Sequence, residues 1–367
     1  MKVCLVTEKY PPLRSGIGDY TFNLSKKLSD TVDVSVVTSN HVQSSVDIYP
    51  ILSSNLFTSL KQTISIIRER DCDIIHFQSP ESRKGLYILI FPIIFRLIFR
   101  KKHIVTTLHE YSDISLFWRM GMLPAIFFSH HLIVVDGEYI SDIRRILPLN
   151  SEKFSFIVNG HNIAQPVIQE ETNVIRYQLS SSENEILMGF FGFVYPGKGI
   201  ENVLYVLSDI LNSGELKTKF IIIGGISDVN PEYSNEIRAL ISSLGISNYV
   251  HITGYLDDAT AINYLAAMDY FVFPFARGYS LRNASTLAVI SVDKPFITTK
   301  RRGKKTLVAD GILYIDSSED RDSLKKLVLA YQNNERELFN TNYAALDFSW
   351  KRVADEHLMV YGNVRDK

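Results

Sequence analysis

The chain has 367 residues, of which 46% are hydrophobic and 22% charged, and its formal net charge is −1. This length exceeds one typical core and fits two domains, each with enough apolar residues to bury a core. The near-neutral charge gives no sign of a nucleic-acid partner. The two cysteines, Cys4 and Cys72, belong to no cluster with metal-ligand spacing. These features argue against a disulfide framework and a Cys-rich zinc site, and they favour a reducing compartment.

Apolar stretches in the first half raise the question of membrane contact. Residues 2–7 are too short for the core of a signal peptide and predict a first buried strand. Residues 86–99 are interrupted by a proline and an arginine, so they fall short of the roughly 20 apolar residues that a spanning helix needs. They predict either a buried helix or an interfacial helix whose basic end, residues 100–102, meets anionic lipid. A second apolar and aromatic stretch, residues 116–128, could join such a surface.

Apolar runs alternate with helix-like segments along almost the whole chain. The first set of predicted strands is residues 3–7, 34–38, 74–77, 104–108, 132–135 and 154–158. The second set is residues 186–191, 220–224, 250–253, 270–272, 295–298 and 313–315. Continuous apolar strands separated by helices favour parallel sheets that are covered on both faces.

This alternation predicts an α/β protein with two Rossmann-like domains. The expected boundaries are 1–162 for the first domain, 163–184 for a polar linker without periodicity, 185–347 for the second domain and 348–367 for a final amphipathic helix. In open parallel sheets, ligands bind outside the carboxyl ends of the strands, where helix N-termini meet anionic groups. We therefore expect a ligand in the cleft between the two domains.

The loop after the first predicted strand carries two glycines at the start of a helix. Gly16 and Gly18 would let backbone N–H groups approach a ligand closely, and the helix N-terminus favours a phosphate. The loop has Thr21 where a dinucleotide-binding fingerprint has its third glycine, and it lacks the Gly-Lys-Ser/Thr ending of a P-loop. An ordinary strand-to-helix turn would explain the glycines equally well.

Two titratable residues, His109 and Glu110, directly follow the predicted strand 104–108. Such residues at the carboxyl end of a buried parallel strand lie where active sites occur. His109 could hydrogen-bond a substrate hydroxyl or polarise a leaving group. A structural histidine at a strand end is an equally good interpretation of its position.

A lysine lies among glycines after the first strand of the second domain. Residues 190–199 place Lys198 at a predicted helix start, which would form a cradle for a diphosphate. The alternative is an ordinary turn in which the lysine is simply a solvated charge.

The strongest local feature is the segment 277–285, which follows the strand 270–272 and runs into an apolar stretch. Ser280, Arg282 and Ser285 would gather hydrogen-bond donors at a helix N-terminus and so suit an anion. The alternative is an N-cap serine with surface arginines. We favour the anion site, because this loop and the Lys198 loop both lie at strand carboxyl ends of one sheet.

Short motifs follow one another along the chain. They are the first loop through Asp19, DIIHFQ at 73–78, TTLHE at 106–110, VNGH at 158–161, FGFVYPGKG at 191–199, IIIGG at 221–225, HITGY at 251–255, FP at 273–274 through Ser285, and FSW at 348–350. Each motif is degenerate alone, but in this order and spacing they resemble the family 4 retaining glycosyltransferases of the GT-B fold. The resemblance covers nearly the whole chain.

For the first domain, the resemblance implies residues that face the transferred sugar and the acceptor. His109 would contact the sugar near the reacting centre, and Asp19 would act beside it on the acceptor side. Gly16 and Gly18 would face the phosphates or the sugar of the donor. Arg14 and Glu110 are expected on the acceptor side. The final helix would pack back across the cleft onto this domain.

For the second domain, the resemblance implies a nucleotide-sugar site. Lys198 would neutralise the diphosphate, and the segment that ends at Tyr255 would hold the nucleotide base. The other expected donor-binding residues are Arg277, Ser280, Leu281, Arg282 and Ser285. No metal or other cofactor is expected, because enzymes of this fold neutralise the leaving group with cationic side chains and helix ends. The sequence accordingly has no Asp-x-Asp motif at a predicted strand end.

Two departures from the family pattern concern charged positions. Phe193 stands where the family commonly has an arginine beside the phosphate lysine. Arg277 and Ser285 stand where it commonly has two glutamates. One cation is therefore lost from one loop while arginines are present in the other. We expect Arg282, together with Arg277, to replace the missing cation on the diphosphate.

The resemblance implies transfer of a hexose-type sugar from a nucleotide-diphosphate sugar to a glycan or lipid-linked acceptor. It implies retention of the anomeric configuration and a place in bacterial surface polysaccharide synthesis, such as that of lipopolysaccharide. The expected location is the cytoplasm, with a peripheral contact at the inner face of the membrane. Two alternatives stay open: a degenerate relative that serves as a scaffold, favoured by the missing glutamates, and a nucleotide-sugar epimerase, whose acid–base residues are not evident.

Overall fold

The computed structural model describes the chain except for residues 14, 41–43, 79–85, 113, 162, 164–165, 181, 183–184, 215–216, 226–230, 302–306 and 367. For residues 86–89 it describes the backbone alone. The chain divides into two compact units. The first unit is Met1–Asn162 together with Phe348–Lys367, and the second is Ile163–Asp347.

The described part of the first unit forms one parallel sheet with helices on both faces. Its strands are β1 (Lys2–Val6), β2 (Asp33–Thr38), β3 (Asp47–Pro50), β4 (Ile74–Gln78), β5 (His103–Leu108), β6 (His131–Val134) and β7 (Phe154–Phe156). Its helices are α1 (Gly16–Leu28), α2 (Leu56–Arg70), α3 (Leu86–Ile98), α4 (Leu116–Phe128), α5 (Glu138–Arg144) and α12 (Trp350–Arg365). The strand order is β3-β2-β1-β4-β5-β6-β7. This order reverses between β1 and β4, the kind of switch point where open parallel sheets bind ligands.

The central strand β1 is apolar at almost every position because it supplies two cores. Val3 and Leu5 of β1 pack in the core shared with α1 and α12. Cys4 and Val6, which alternate with them, pack in the core shared with α2 and α3. Successive side chains of a strand point to opposite faces, so a sheet covered on both sides needs continuous apolar runs. The predicted parallel α/β fold is confirmed.

The C-terminal helix α12 belongs to the first unit, as expected. The Ser349 side chain caps it by accepting from the backbone N–H of Arg352. The indole Nε1–H of Trp350 donates to the carbonyl oxygen of His161 at 2.7 Å. The same ring lies so close to Gly160 that a Cβ built there would come within 2.7 Å of it. The glycine of the VNGH motif is therefore required for the packing of this helix.

The apolar stretch around Pro92 forms α3, whose described residues include both buried and exposed apolar side chains. Phe91 and Phe95 are fully buried, whereas Leu97 is 67% exposed and Ile98 is 42% exposed. Among the described residues, no helix has both the length and the apolar character that crossing a membrane requires.

The second unit also contains a parallel sheet with its own helices. Its described strands are β8 (Ile186–Phe191), β9 (Thr218–Ile223), β10 (Val250–Ile252), β11 (Tyr270–Phe273), β12 (Phe296–Thr299) and β13 (Ile312–Ile315). Its described helices are α6 (Gln169–Leu179), α7 (Ile200–Asn212), α8 (Pro231–Ser243), α9 (Asp258–Ala267), α10 (Ala284–Ser291) and α11 (Arg321–Gln332). The strand order is β10-β9-β8-β11-β12-β13, with a reversal between β8 and β11.

The predicted linker 163–184 is wrong in one respect, because it contains α6 and belongs to the second unit. Thr172, Ile175 and Leu179 form the buried stripe of this helix. A guanidinium nitrogen of Arg176 lies 3.1 Å from a carboxylate oxygen of Asp269, which ties the helix to the start of β11. Only three buried positions among polar residues give a weak helical periodicity, so the helix could not be recognised in the sequence.

Candidate active site

The loop between β1 and α1 uses its two glycines differently. The Ser15 hydroxyl caps α1 by accepting from the N–H of Gly18 at 2.9 Å. A Cβ at Gly18 would lie 3.0 Å from the carbonyl oxygen of Lys9, so this glycine permits close backbone packing. Gly16 is exposed, and a Cβ there would meet no atom of the described residues within 4 Å. Open space at the helix N-terminus is therefore found beside Gly16, whereas Gly18 has a structural role.

The first turn of α1 already carries a carboxylate, that of Asp19. Asp19 is half-buried, and its backbone carbonyl accepts from the side-chain amide of Asn23 at 3.0 Å. A negative side chain in the first turn offsets the positive end of the helix dipole. The carboxylate therefore weakens the attraction of this helix N-terminus for an anion. The predicted acceptor-side residue Arg14 lies outside the described residues.

His109 is held firmly at the carboxyl end of β5 and is 7% exposed. Its ring nitrogen Nε2 lies 2.8 Å from Oε1 of Gln78, the last residue of β4. The ring of Tyr20, from α1, packs against it edge-on with 4.5 Å between ring centroids. The Tyr139 hydroxyl donates to the backbone carbonyl of His109 at 3.1 Å. The neighbouring Glu110 is exposed.

The contact with Gln78 could have been found in the sequence. Ile75 and Phe77 of β4 pack in the core on the α2 and α3 side of the sheet. His76 and Gln78 alternate with them and are fully buried as well. Two polar residues at alternate positions of an otherwise apolar strand are the signal, because a buried polar side chain requires a partner.

In the second unit, the loop between β8 and α7 holds Lys198 between two aromatic rings. Its Nζ lies 4.7 Å from the ring centroids of both Tyr195 and Phe275, which permits cation–π contacts. Gly199 caps α7 with a φ of 74°, and a Cβ there would lie 2.1 Å from the carbonyl oxygen of Pro274. The loop therefore requires this glycine, and the lysine lies beside a helix N-terminus as predicted.

The Lys198 loop and the 277–285 loop lie together, as their places after adjacent strands predict. The Ala276 N–H donates to the carbonyl oxygen of Gly197 at 3.0 Å and joins the two loops directly. A Cβ built at Gly192 would lie 3.7 Å from Cβ of Ser285, in the first turn of α10. The Lys198 loop, the 277–285 loop and the N-termini of α7 and α10 thus lie together at one edge of the second sheet.

Within the 277–285 loop, the Ser280 hydroxyl makes a contact inside its own turn. This hydroxyl accepts from the backbone N–H of Arg282 at 3.3 Å, and the backbone N–H of Ser280 donates to Oδ1 of Asn283 at 2.9 Å. The Ser280 side chain therefore stabilises the turn before α10. The other predicted residues of the loop are at least partly exposed, namely Arg277, Leu281, Arg282 and Ser285.

Tyr255 is 66% exposed beside a surface lined by glycine backbone. It follows Gly254, which pairs with Gly224 in an isolated bridge. A Cβ at Gly224 would lie 2.5 Å from the carbonyl oxygen of Gly192, so the loops after β8, β9 and β10 meet through glycines. An exposed aromatic ring beside such a flat surface suits stacking on a planar base.

Comparison with known proteins supports this picture of the second unit. Residues 185–334 match the family model described as Glycosyl transferases group 1. The matched range contains every described strand of that unit. The part of the second unit that matches this model is referred to as the glycosyltransferase domain. The enzyme class expected from the sequence, a glycosyltransferase, is thereby confirmed.

Similarity to individual glycosyltransferases extends over more of the chain. An uncharacterized glycosyltransferase of Methanocaldococcus jannaschii, MJ1069, is 22% identical over 284 residues, which are 72% of this chain and 69% of that protein. HepE of Anabaena, solved in complex with UDP and glucose, has a TM-score of 0.74 at 18% identity, with 99% of this chain and 100% of that chain covered. WaaG, a glycosyltransferase involved in lipopolysaccharide biosynthesis, has a TM-score of 0.62 at 13% identity, with 99% and 98% covered. At these identities the superpositions establish the GT-B fold alone.

The predicted site residues divide between the glycosyltransferase domain and the first unit. Those on the matched domain are Lys198, Tyr255, Arg277, Ser280, Leu281, Arg282 and Ser285. Those on the first unit are Gly16, Gly18, Asp19, His109 and Glu110. Within its own unit, each group lies on segments that directly follow the carboxyl ends of parallel strands.

Proposed function

We propose that the protein is a retaining glycosyltransferase that moves a hexose-type sugar from a nucleotide-diphosphate sugar to a glycan or lipid-linked acceptor. The observation that carries this proposal is the pair of joined loops on the glycosyltransferase domain, where Lys198 and residues 277–285 follow neighbouring strands. Cations at helix N-termini attract a diphosphate through charge and through backbone N–H groups. HepE, which was solved with UDP and glucose, supports this donor class by analogy.

On the donor side, each cation has a proposed place. Lys198 contacts the diphosphate, and Arg282, with Arg277, supplies the second cation in place of the arginine that Phe193 replaces. Tyr255 stacks on the nucleotide base. The donor surface is completed by Ser280, Leu281 and Ser285. No metal is needed in this scheme, because side-chain cations and helix ends neutralise the leaving group.

In the proposed reaction, the acceptor hydroxyl oxygen forms a bond to the anomeric carbon while the bond from that carbon to the diphosphate breaks. The electron pair leaves with the nucleoside diphosphate, and a phosphate oxygen of this leaving group takes the hydroxyl proton. Attack on the face from which the diphosphate departs retains the configuration. His109 contacts the sugar beside Gly16, and Asp19, Glu110 and Arg14 lie on the acceptor side. The protein mainly positions the reactants and stabilises charge.

A nucleotide screen followed by product analysis tests the proposal. In a screen of UDP, GDP, dTDP, CMP and ADP, we expect one of the four diphosphates to raise the thermal denaturation midpoint, because a ligand that binds only the folded state stabilises it. The corresponding donor sugar should then yield a product with retained anomeric configuration by NMR, at the same rate with and without EDTA. An inverted product contradicts retention. Absence of nucleotide binding favours the scaffold, and an epimerised donor without transfer favours the epimerase.

We further propose that the first unit contacts the inner face of the cell membrane during surface polysaccharide synthesis. Leu97 of α3 and Phe117 and Phe127 of α4 are 67%, 79% and 56% exposed, and the two helices pack side by side. Arg100 and Lys101, directly after α3, are exposed as well. Apolar side chains flanked by cations suit a surface of anionic lipid. The involvement of WaaG in lipopolysaccharide biosynthesis supports the pathway by analogy.

Replacing both Arg100 and Lys101 with glutamate is expected to weaken binding to vesicles that contain anionic lipid. Each cation near such a surface contributes about 1 kcal/mol, so each loss should weaken binding at least about fivefold in a sedimentation assay. The matched control is Lys26→Glu, which reverses an exposed charge on α1, on the opposite face of the sheet. Equal sedimentation of the double variant and the wild-type protein would contradict membrane contact through this surface.

A further inference from the structure

A β-turn brings Lys198 next to the ring of Tyr195. Pro196 and Gly197 stand at the second and third positions of residues 195–198, the two residue types that a type II turn favours there. Gly197 accordingly has a φ of 92°, and the N–H of Lys198 donates to the carbonyl oxygen of Tyr195 at 3.2 Å. The two ends of the turn therefore lie close together, and Nζ of Lys198 is 4.7 Å from the centroid of the Tyr195 ring.

The second ring beside Lys198 is that of Phe275, which the core of the second unit holds. Phe275 is 4% exposed, and its ring stacks on that of Phe273 in β11 with 5.6 Å between the centroids. The N–H of Ala276, the next residue, donates to the carbonyl oxygen of Gly197 at 3.0 Å and joins Phe275 to the turn. Nζ of Lys198 lies 4.7 Å from the centroid of the Phe275 ring as well. A rigid aromatic side chain thus completes the surroundings of the lysine.

The ammonium group of Lys198 has no polar partner within the part of the chain that the structure describes. Its Nζ makes no hydrogen bond and no ion pair there, although the residue is partly buried. An ammonium has three N–H donors, and ring faces attract its charge without supplying a hydrogen-bond acceptor of ordinary strength. A charged group that is partly withdrawn from water favours an anionic partner. The N–H groups of Lys198 are therefore available to an anion.

Contact with both rings restricts the lysine before any ligand arrives. A lysine side chain in solvent populates many rotamers, and it loses this freedom when it contacts a phosphate. A side chain that is already ordered loses less, and preorganisation of this kind increases affinity. Two ring contacts that leave the N–H groups available therefore favour anion binding by Lys198.

We propose that Tyr195 and Phe275 are positioning residues, which hold Lys198 in place for the diphosphate of the nucleotide. The two rings act through the lysine, because they order its ammonium group beside the N-terminus of α7 and leave its N–H groups to the phosphates. The identity of the ligand as a nucleoside diphosphate rests on the proposed function. The order of the lysine in the unliganded protein does not.

The first measurement is the environment of Lys198 in the full-length protein without ligand, from ¹H–¹³C NMR spectra. Protons that lie over an aromatic ring resonate upfield, so the Cε protons of Lys198 should lie upfield of those of Lys326, which is exposed on α11. Loss of the signal in Lys198→Ala assigns it. Replacing Tyr195 with leucine should remove part of the shift, and replacing it with phenylalanine should preserve the shift.

The second measurement is the affinity for the nucleoside diphosphate that the thermal screen identifies, by isothermal titration. Tyr195→Leu should weaken binding by about twofold to thirtyfold, the range that corresponds to one cation–π contact. Tyr195 is 47% exposed, so this variant should fold, and thermal denaturation checks that it does. The matched control is Tyr195→Phe, which keeps the ring and should bind as the wild-type protein does.

A double-mutant cycle separates positioning from a merely structural role. In protein that already carries Lys198→Ala, the further change Tyr195→Leu should cause no additional loss of affinity, because the ring acts through the lysine. An equal loss in that background would overturn the proposal, since Tyr195 would then act on the ligand or on the loop itself. Unchanged affinity in folded Tyr195→Leu would overturn it as well. Tighter binding by that variant would show that the rings compete with the phosphates for the lysine.

The outcomes for the positioning role and for the proposed function are distinguishable. Cε protons of Lys198 that resonate with those of Lys326 would overturn the order of the lysine, whatever the ligand. Phe275→Leu should reduce the upfield shift too, and if this core variant does not fold, the wild-type shift and the Tyr195 variants still decide the matter. If the shift is as expected but no nucleoside diphosphate binds, the proposed function fails, and the ordering of Lys198 by the two rings stands.

Discussion

Replacement of His109 with alanine is expected to lower kcat for sugar transfer by roughly a hundredfold to a thousandfold, the loss typical when one preorganised hydrogen-bonding group is removed from a reacting centre. The ring is fixed by Tyr20 and Gln78, so the substitution leaves nothing that could restore its contact with the sugar. Nucleotide affinity should remain unchanged, because the proposed nucleotide site lies on the second unit. Steady-state kinetics measures the change in kcat, and calorimetric titration measures the nucleotide affinity.

The matched control for this prediction lies on the same strand. His103 begins β5, at the opposite end of the strand from His109, and is only partly buried. His103→Ala should therefore leave kcat close to the wild-type value, and thermal denaturation should show that both variants are folded. If folded His109→Ala keeps kcat within about tenfold of wild type, a barrier change of less than about 1.4 kcal/mol, then His109 is a structural strand-end residue.

Substitution of Lys198 or Arg282 with alanine is expected to weaken binding of the nucleoside diphosphate by about tenfold to a hundredfold. Each removes a charged hydrogen-bond partner of the phosphates, which contributes about 1.5–3 kcal/mol. Lys198 also loses its contacts with the rings of Tyr195 and Phe275. The loss should be smaller for the nucleoside monophosphate, which lacks the second phosphate group. Isothermal titration with both nucleotides measures the difference.

Lys326→Ala provides the control, because this exposed lysine lies on α11, away from the two joined loops. It should bind the nucleotide as the wild-type protein does. Unchanged affinity in Arg282→Ala would show that this arginine does not replace the cation missing at Phe193. Unchanged affinity in Lys198→Ala would show that the diphosphate does not bind at the α7 N-terminus.

The parallel sheets could be predicted from the sequence because burial on both faces leaves a continuous apolar run in each central strand. Apolar runs do not reveal elements whose residues are only partly buried. β3 is an edge strand of four residues, Asp47–Pro50, and none of them is fully buried, so it has no apolar run. The helix α6 was missed for a related reason, because only Thr172, Ile175 and Leu179 are buried in it.

The positions of the candidate loops also followed from the sequence. A glycine-rich turn after a buried strand must lie at the carboxyl edge of a parallel sheet, beside a helix N-terminus. The sequence pattern predicted that the Lys198 loop and the 277–285 loop lie at strand carboxyl ends of one sheet, and the hydrogen bond from Ala276 to Gly197 shows that they are neighbours there. It did not predict that the Ser280 hydroxyl would be used within its own turn. The functional roles of these residues stay predictions.

By itself, the sequence determined the fold class, the two parallel sheets and the loops that carry the candidate residues, because periodicity and turn chemistry are local properties of the chain. Only the tertiary structure decided which side chains meet. His76 and Tyr361 are separated by 285 residues and yet share a buried hydrogen bond. Lys198 lies between the ring of Tyr195, from its own loop, and the ring of Phe275, from the loop after β11. Such contacts depend on which faces of distant elements pack together, and no local pattern encodes that choice.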